Sequence, residues 1–272
     1  MLAPMRSLDP LRKLRNFIAK PFRRRSRQAA YSYRPGDVVV EDFAEFSGIP
    51  LDTVIERIAN FHAINAQDWH ALGASSFSER AAAFYESSQN YVFDTLSANR
   101  SPEAVVKKLD RFNPRILESI RTHPGKRLFE FGGGIGVFCE IAARMGKEVF
   151  YMELPGIVFE FAQWRFKKLG LNVSPIEAKA DTINLPGKYD IVYTDAVLEH
   201  LPQPLQIRAT QAIGQAVDND GLLIFLVDLS GPTEDDPMHH VVDIVELHEH
   251  LSSSGLRCEE GHHTFCSIWR RL

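Results

Sequence analysis

The residues with the plainest chemical meaning form one run, Leu128-Phe-Glu130-Phe-Gly132-Gly133-Gly134-Ile-Gly136. It reads as a strand that runs into glycines and then opens a helix. Glycines let the backbone turn sharply and approach a ligand with no Cβ in the way. The spacing Glu-x-Gly-x-Gly-x-Gly is not the Gly-x-Gly-x-x-Gly of nicotinamide and flavin sites. A carboxylate two residues before the first glycine repels a diphosphate and suits a ligand with a cationic amino group. Three more acids follow at the ends of successive strands. Glu153, in Tyr151-Met152-Glu153, stands about 20 residues beyond the glycines, where a carboxylate accepts both hydroxyls of a ribose. Asp181, after a third strand and before the apolar Ile183, offers a carboxylate to an adenine amino group. Asp195 ends the fourth strand and leads into Leu198-Glu199-His200-Leu201-Pro202.

Proton transfer needs a base, and three histidines compete for that role. His200 stands one turn from Asp195, and imidazole titrates near neutrality; a histidine packed at a helix start fits the same position equally well. Asp228 and the polar loop after it, ending in His239-His240, lie on the same carboxyl edge of the expected sheet, so His239 or His240 could serve instead. His239, His240, Asp243, Glu246, His248 and His250 crowd into twelve residues. A helix there would place His239 and Asp243 on one face, as metal ligands are placed. No second ligand pair is evident and magnesium prefers clustered oxygens, so no metal is expected.

The elements that must position these groups follow from the texture of the chain. After Pro124-Gly125, apolar strands alternate with helical stretches, the pattern of a parallel sheet covered on both sides. Strands are expected at 127–131, 148–152, 172–176, 189–194 and 222–227, with helices at 137–145, 157–169 and 204–217. A helix over 241–252 precedes strands at 257–260 and 265–270, close enough to pair as an antiparallel edge hairpin. From Asp37 to Thr122 the pattern is helical, except that Val38-Val39-Val40 could be a short strand. Leu51, Val54, Ile55, Ile58 and Phe61 mark one buried helix face. Ser78 is expected to cap a long helix through Phe84, Tyr85, Tyr91, Val92 and Leu96 to Asn99, its aromatics reading as core. Further helices start after Ser101-Pro102 and Pro114.

The chain divides on this basis into a basic tail (1–35), a helical cap (36–122) and an α/β domain (123–272). The first 27 residues carry nine basic side chains against Asp9, leaving a body of 22 basic and 34 acidic residues. Such a body is not built to grip nucleic-acid phosphates. Around Ser7-Leu-Asp9-Pro10, a basic amphipathic helix with Leu11, Leu14, Phe17 and Ile18 on one face could lie peripherally on an anionic membrane. Three cysteines at wide spacing fit neither a disulfide framework nor a zinc knuckle, so a reducing cytoplasm is expected.

Together the glycine loop, Glu153, Asp181 and the Leu-Glu-His-Leu-Pro turn resemble the class I S-adenosylmethionine-dependent methyltransferases over residues 125 to 272. The resemblance implies a Rossmann-like, mostly parallel seven-stranded sheet with an antiparallel C-terminal edge hairpin behind the α-helical N-terminal cap. It implies S-adenosylmethionine as cofactor, with Glu130, Gly132, Gly133, Gly134 and Gly136 near its amino acid part, Glu153 on the ribose, Asp181 near the adenine and Asp195 facing the methyl donor. The extra glycine at Gly133 is expected only to loosen the loop. The activity implied is methyl transfer to an oxygen or nitrogen of a small or medium-sized acceptor, such as a sugar, a glycan or lipid-linked intermediate, or a secondary metabolite. A cofactor-binding scaffold without turnover and a nicotinamide-dependent oxidoreductase are the rival readings.

Overall fold

The computed structural model describes residues 33–73, 77–179, 183–234 and 236–271; the basic tail helix and Asp181 lie outside them. Seven strands form one sheet in the order β3-β2-β1-β4-β5-β7-β6. They are β1 (Arg127–Phe131), β2 (Glu148–Glu153), β3 (Val173–Glu177), β4 (Tyr189–Asp195), β5 (Val217–Leu226), β6 (Leu256–Glu260) and β7 (Cys266–Arg271). The first five are mutually parallel, and β7 runs antiparallel to both β5 and β6.

Strand alternation feeds two apolar cores, because successive side chains point to opposite faces. Leu128, Ile191, Leu222 and Ile224 enter one core. Phe129, Val192, Leu223 and Phe225 enter the other. A sheet apolar on both faces must be covered on both. Helices α10 (Gln203–Ala216) and α11 (Ile244–Ser253) cover the second face through Ala209, Ile213, Leu247 and Leu251. The first face receives α8 (Val137–Arg144) and α9 (Ile157–Lys168), and its core continues into the N-terminal helices through Val39, Phe43, Ile58, Leu96, Leu109 and Ile116.

Those N-terminal helices are α1 (Val38–Ser47), α2 (Leu51–Ala59), α3 (Phe61–Ala71), α4 (Phe77–Ser87), α5 (Tyr91–Ala98), α6 (Pro102–Phe112) and α7 (Arg115–Thr122). The valine run at 38–40 is helix, not strand: Val39, Val40 and Phe43 are buried on one side of α1, and tertiary burial outweighs the weak β preference of three branched residues. The long helix expected from Ser78 to Asn99 is two. Ser88 Oγ accepts the backbone N–H groups of Asn90 and Tyr91, both at 3.1 Å, starting a new helix where the first would have continued. The helix expected from Val241 starts at Ile244, because Asp243 caps it by accepting N–H from Val245 and Glu246. His239 and His240 therefore sit in a loop and share no helix face with Asp243. β5 begins five residues before the expected Leu222, with a register irregularity against β4 between Tyr189 and Ile191. Among the described residues, no helix is long and apolar enough to cross a membrane.

A buried cation ties the first N-terminal helix to two of the helices that cover the sheet. Arg165 on α9, 1% exposed, bonds Asp42 on α1 at 2.9 Å and Glu140 on α8 at 2.8 Å. Lys168 adds Asp42 and Glu45 from the surface. Replacing Arg165 by Ala should cost roughly 3 kcal/mol in denaturant unfolding, the low end for stripping one partner from a buried pair, since Arg144 still reaches Glu140. Replacing Lys168 should cost about 1 kcal/mol or less. Equal losses at the two positions would show that burial is not what makes Arg165 count.

Candidate active site

The glycine loop leaves β1 in a conformation side chains rarely adopt. Gly132, Gly134 and Gly136 have φ of 69°, 53° and 72°. A Cβ at Gly132 would meet Val197 at 2.3 Å, and one at Gly136 would meet Phe166 at 2.4 Å. At Gly133, expected only to loosen the loop, the reason for glycine is packing: a Cβ would lie 2.5 Å from the Tyr151 ring. The loop is held rather than loose. Gly132 and Gly133 both donate N–H to the Met152 carbonyl at 3.0 Å, and the Tyr151 hydroxyl donates to the Gly134 carbonyl at 2.6 Å. At Gly134 the space a Cβ would take is open. The loop thus presents bare backbone to the mouth of a cavity of about 450 Å³ above the carboxyl ends of β1, β2, β4 and β5.

Carboxyl groups surround that loop. Glu153, at the end of β2, accepts N–H from Gly134 at 2.7 Å and from Leu154 at 2.8 Å, one bond to each oxygen, so each oxygen keeps a lone pair. Burial raises its pKa while those two bonds resist the shift. Glu130 accepts a hydrogen bond from the Cys139 thiol at 2.7 Å, and burial pushes its carboxyl up to about 8. Asp195, at the end of β4, accepts the Lys108 ammonium at 2.6 Å and the Tyr193 hydroxyl at 3.2 Å. Lys108 comes from α6, so this ion pair bridges the helical layer and the sheet at the cavity wall. Ala196, which follows, has φ of 57°, a strained value for alanine, and it turns the chain abruptly out of β4.

Beyond that turn lies a second set of groups. His200 Nδ1 is 2.6 Å from the Tyr85 hydroxyl of α4, and its ring meets His239 edge-on with centroids 4.7 Å apart. Burial lowers the His200 pKa well below the usual imidazole value, with His239 adding to the shift and Asp236 opposing it, so the ring is neutral at rest. Phe84 is core as expected, and Tyr85 and Tyr91 pack against that core while also lining the cavity. Glu199 is 1% exposed and also lines the cavity, and its Oε2 has no hydrogen-bond partner. Burial, joined by the fields of Asp228 and Asp195, raises its pKa well above the carboxylate range.

Of the residues singled out from sequence, Glu130, Gly132, Gly133, Gly134, Glu153, Asp195, His200 and His239 line this one cavity. Gly136 stands behind the wall as the first residue of the turn into α8. The His240 ring is not part of the lining; its backbone N–H donates to the Glu199 carbonyl at 2.6 Å. Lys108, Tyr85, Tyr91 and Glu199 are additions of the structure. Glu199 had a signal in its place beside His200, whereas nothing local to Lys108 marks it.

Comparison with known proteins places the chain in a family. A family model described as a methyltransferase domain matches residues 98–267. The ubiquinone biosynthesis O-methyltransferase of Burkholderia thailandensis is 34% identical over 116 residues, 41% of this chain and 50% of that protein. That of Nitrosococcus oceani is 31% identical over 130 residues, 45% of this chain and 53% of that protein. The chain spans about half the length of the curated relatives it matches. Among solved structures, magnesium protoporphyrin IX methyltransferase of Synechocystis PCC 6803 with bound S-adenosylmethionine superimposes with a TM-score of 0.54 at 14% identity, over 74% of this chain and 100% of that one. This last likeness is one of fold.

The histidine-rich C-terminal region has another role. His248, His262 and His263 bring their ring nitrogens within 4.8 Å of one another. His248 is fully buried; its Nδ1 accepts the His263 backbone N–H at 2.9 Å and its Nε2 lies 3.3 Å from Ser267 Oγ, which also accepts the Trp269 indole N–H. Both ring nitrogens are occupied, so this side chain has no lone pair left for a metal. Burial lowers its pKa to about 3, with His263 and His262 adding to the shift. A group whose folded pKa is depressed contributes stability above its unfolded value near 6.5 and loses it as pH falls toward 3. Replacing His248 by Gln should therefore flatten the fall of unfolding free energy between pH 6.5 and 4, by up to about 1.4 kcal/mol per pH unit. An unchanged acid slope would mean that His248 does not stay neutral in the fold.

Proposed function

This chain belongs to the methyltransferase-domain family of S-adenosylmethionine-dependent enzymes, and from that premise we propose that it methylates an oxygen or nitrogen of a small or medium-sized molecule. A sugar, a glycan or lipid-linked intermediate, or a secondary metabolite is the class of acceptor. The observation that carries the reading is the sharing of one cavity: the glycine loop, Glu153 and Asp195 form one end, and the Tyr85–His200 pair forms the other. The nine basic residues among the first 27 support peripheral contact with an anionic membrane on the cytoplasmic side.

The residues fit the cofactor. Bare backbone at Gly134 admits it closely, the free lone pairs of Glu153 suit a ribose diol, and Glu130, Asp195 and Lys108 together complement a zwitterionic amino acid. When bound, the sulfonium supplies an activated methyl group. The protein's part is then chiefly to hold the acceptor in line and exclude water. Tyr85, kept protonated because burial raises its pKa well above 10, lines the cavity beside His200 and has its hydroxyl 2.6 Å from Nδ1. It can take the acceptor's proton on its oxygen while passing its own to the neutral imidazole. Burial makes the resulting imidazolium short-lived, so His200 acts as a passing holder of the proton.

Titration with S-adenosylhomocysteine should show specific binding and titration with NAD none; the reverse would overturn the reading in favour of an oxidoreductase. Tyr85→Phe and His200→Gln should each lower kcat by about a hundredfold or more while leaving S-adenosylhomocysteine affinity within a few-fold. Cofactor binding without any acceptor-dependent demethylation product would instead mark a scaffold. Glu130 gives a third measurement. Its carboxyl is largely protonated at pH 7 in the free protein, and an arriving ammonium group favours the ionised form. Binding should therefore release close to one proton at pH 7, seen calorimetrically in buffers of different ionisation enthalpy. Affinity should rise with pH until about 8, and Glu130→Gln should abolish both effects.

A further inference from the structure

Two O–H groups at the acceptor end of the cavity find no acceptor among the described residues. Glu199 belongs to the single 3-10 turn Leu198–His200, and its carbonyl accepts the His240 N–H at 2.6 Å, which pins its backbone just beyond β4. The residue is 1% exposed, lines the cavity and leaves Oε2 without a hydrogen bond. Burial raises its pKa well above the carboxylate range; the backbone N–H groups of Glu199 itself and of Asp228 oppose the shift, and the fields of Asp228 and Asp195 add to it. At neutral pH the side chain is therefore an uncharged carboxylic acid with one O–H to donate. Those backbone N–H groups draw on the other oxygen, so the proton falls to Oε2.

Tyr91 carries the second group. Its ring packs edge to face on Phe84 and Tyr85 and its backbone N–H goes to Ser88, but its hydroxyl bonds no described residue. Burial keeps this phenol protonated, raising its pKa well above 10, with Asp94, Glu153, Glu199 and Asp236 adding to the effect. Tyr91 comes from α5 and Glu199 from the turn after β4, so the two donors reach one cavity from the helical layer and from the sheet. The pair beside them offers no relief, because the Tyr85 hydroxyl and His200 Nδ1 engage each other at 2.6 Å. A buried O–H without an acceptor is costly, and a ligand that removes the cost must bring lone pairs. A charged oxygen would have to shed its hydration next to Asp228 and Asp195, whereas a carbonyl-type oxygen gives up far less on entry.

We propose that the acceptor carries, in addition to the atom to be methylated, an uncharged carbonyl-type oxygen that accepts hydrogen bonds from Glu199 and Tyr91. This rests on the methyltransferase reading above, and it adds a functional group of the acceptor that neither the family match nor the relatives' names specify. Glu199 and Tyr91 then orient the acceptor, while Tyr85 and His200 handle its proton.

The test uses three fragments of one planar shape, titrated into the whole chain saturated with S-adenosylhomocysteine and followed by ligand-observed NMR. They are acetophenone, α-methylstyrene, in which a methylene replaces the carbonyl oxygen, and benzoate. Acetophenone should bind at least about fivefold more tightly than either of the others. Glu199→Gln keeps an N–H donor in the same place and should hold that preference within about twofold. Glu199→Met and Tyr91→Phe each remove one donor and should each cut the preference by about threefold or more. Tyr91→Phe retains the ring and its packing, and it carries the test should Glu199→Met not fold. Binding of α-methylstyrene or benzoate as tight as that of acetophenone, no saturable binding of acetophenone at millimolar concentration, a preference lost in Glu199→Gln, or one untouched by removal of either donor would each overturn the proposal. Loss of S-adenosylhomocysteine binding in the unmodified protein would sink the methyltransferase reading and this proposal with it, whereas intact binding without a carbonyl preference sinks this proposal alone.

Discussion

Carboxyl groups held out of water at the open edge of a parallel sheet are the constraint around which this molecule is arranged. Removing a carboxylate from water without compensation is expensive, and a protein answers by pairing it, hydrogen-bonding it or leaving it protonated. All three answers occur within one cavity. Asp195 is paired with Lys108, Glu153 takes two backbone N–H groups, and Glu130 and Glu199 carry raised pKa values. The two apolar cores lie to either side of the sheet, away from this edge. Their cost fits preorganisation for a bound amino acid, whose ammonium group would favour the ionised form of Glu130, whereas Asp195 already has its counter-charge in Lys108.

The ion pair of Lys108 with Asp195 also makes the helical layer more than a lid. Its donor and acceptor belong to segments 87 residues apart, α6 and the end of β4, and the apolar core running from Val39 through Leu109 to Ile268 holds the two in register. Arg165 holds the same layer at a second place by bridging Asp42 and Glu140. A layer clamped at two places around a shared core has little freedom to slide over the sheet, which keeps the Tyr85 hydroxyl within 2.6 Å of His200.

The sequence made the sheet side of the site readable, because each of its residues stands at the end of a strand that announces itself. Leu128 to Gly136, Glu153 and Asp195 are placed by strand-to-turn transitions only a few residues long, and the alternation of apolar side chains sets the strand order apart from the helices. The helical side is different. Tyr85 and Tyr91 fall on the same stripe as Phe84 and read as core, since helical periodicity identifies a buried face without saying whether that face meets another helix or a cavity. Lys108 looks like any surface lysine until α6 is placed across the end of β4. The split between α4 and α5 turned on a single serine, Ser88, whose capping bonds compete with helix continuation at a distance no periodic pattern records. The histidines near 240 misled for a related reason: Asp243 caps α11, and so the spacing of four that would place His239 beside it on a helix has no helix to act on.

That division bears on how specificity is built. The donor end is made from backbone and strand ends, which are fixed once the sheet forms, and little there is free to vary without losing the loop's contacts with Tyr151 and Met152. The acceptor end is made from helices α4 and α5 and from the loop carrying Asp236 and His239, elements joined to the sheet by packing rather than by backbone pairing. Side chains on such elements can change charge and shape at small cost to the sheet.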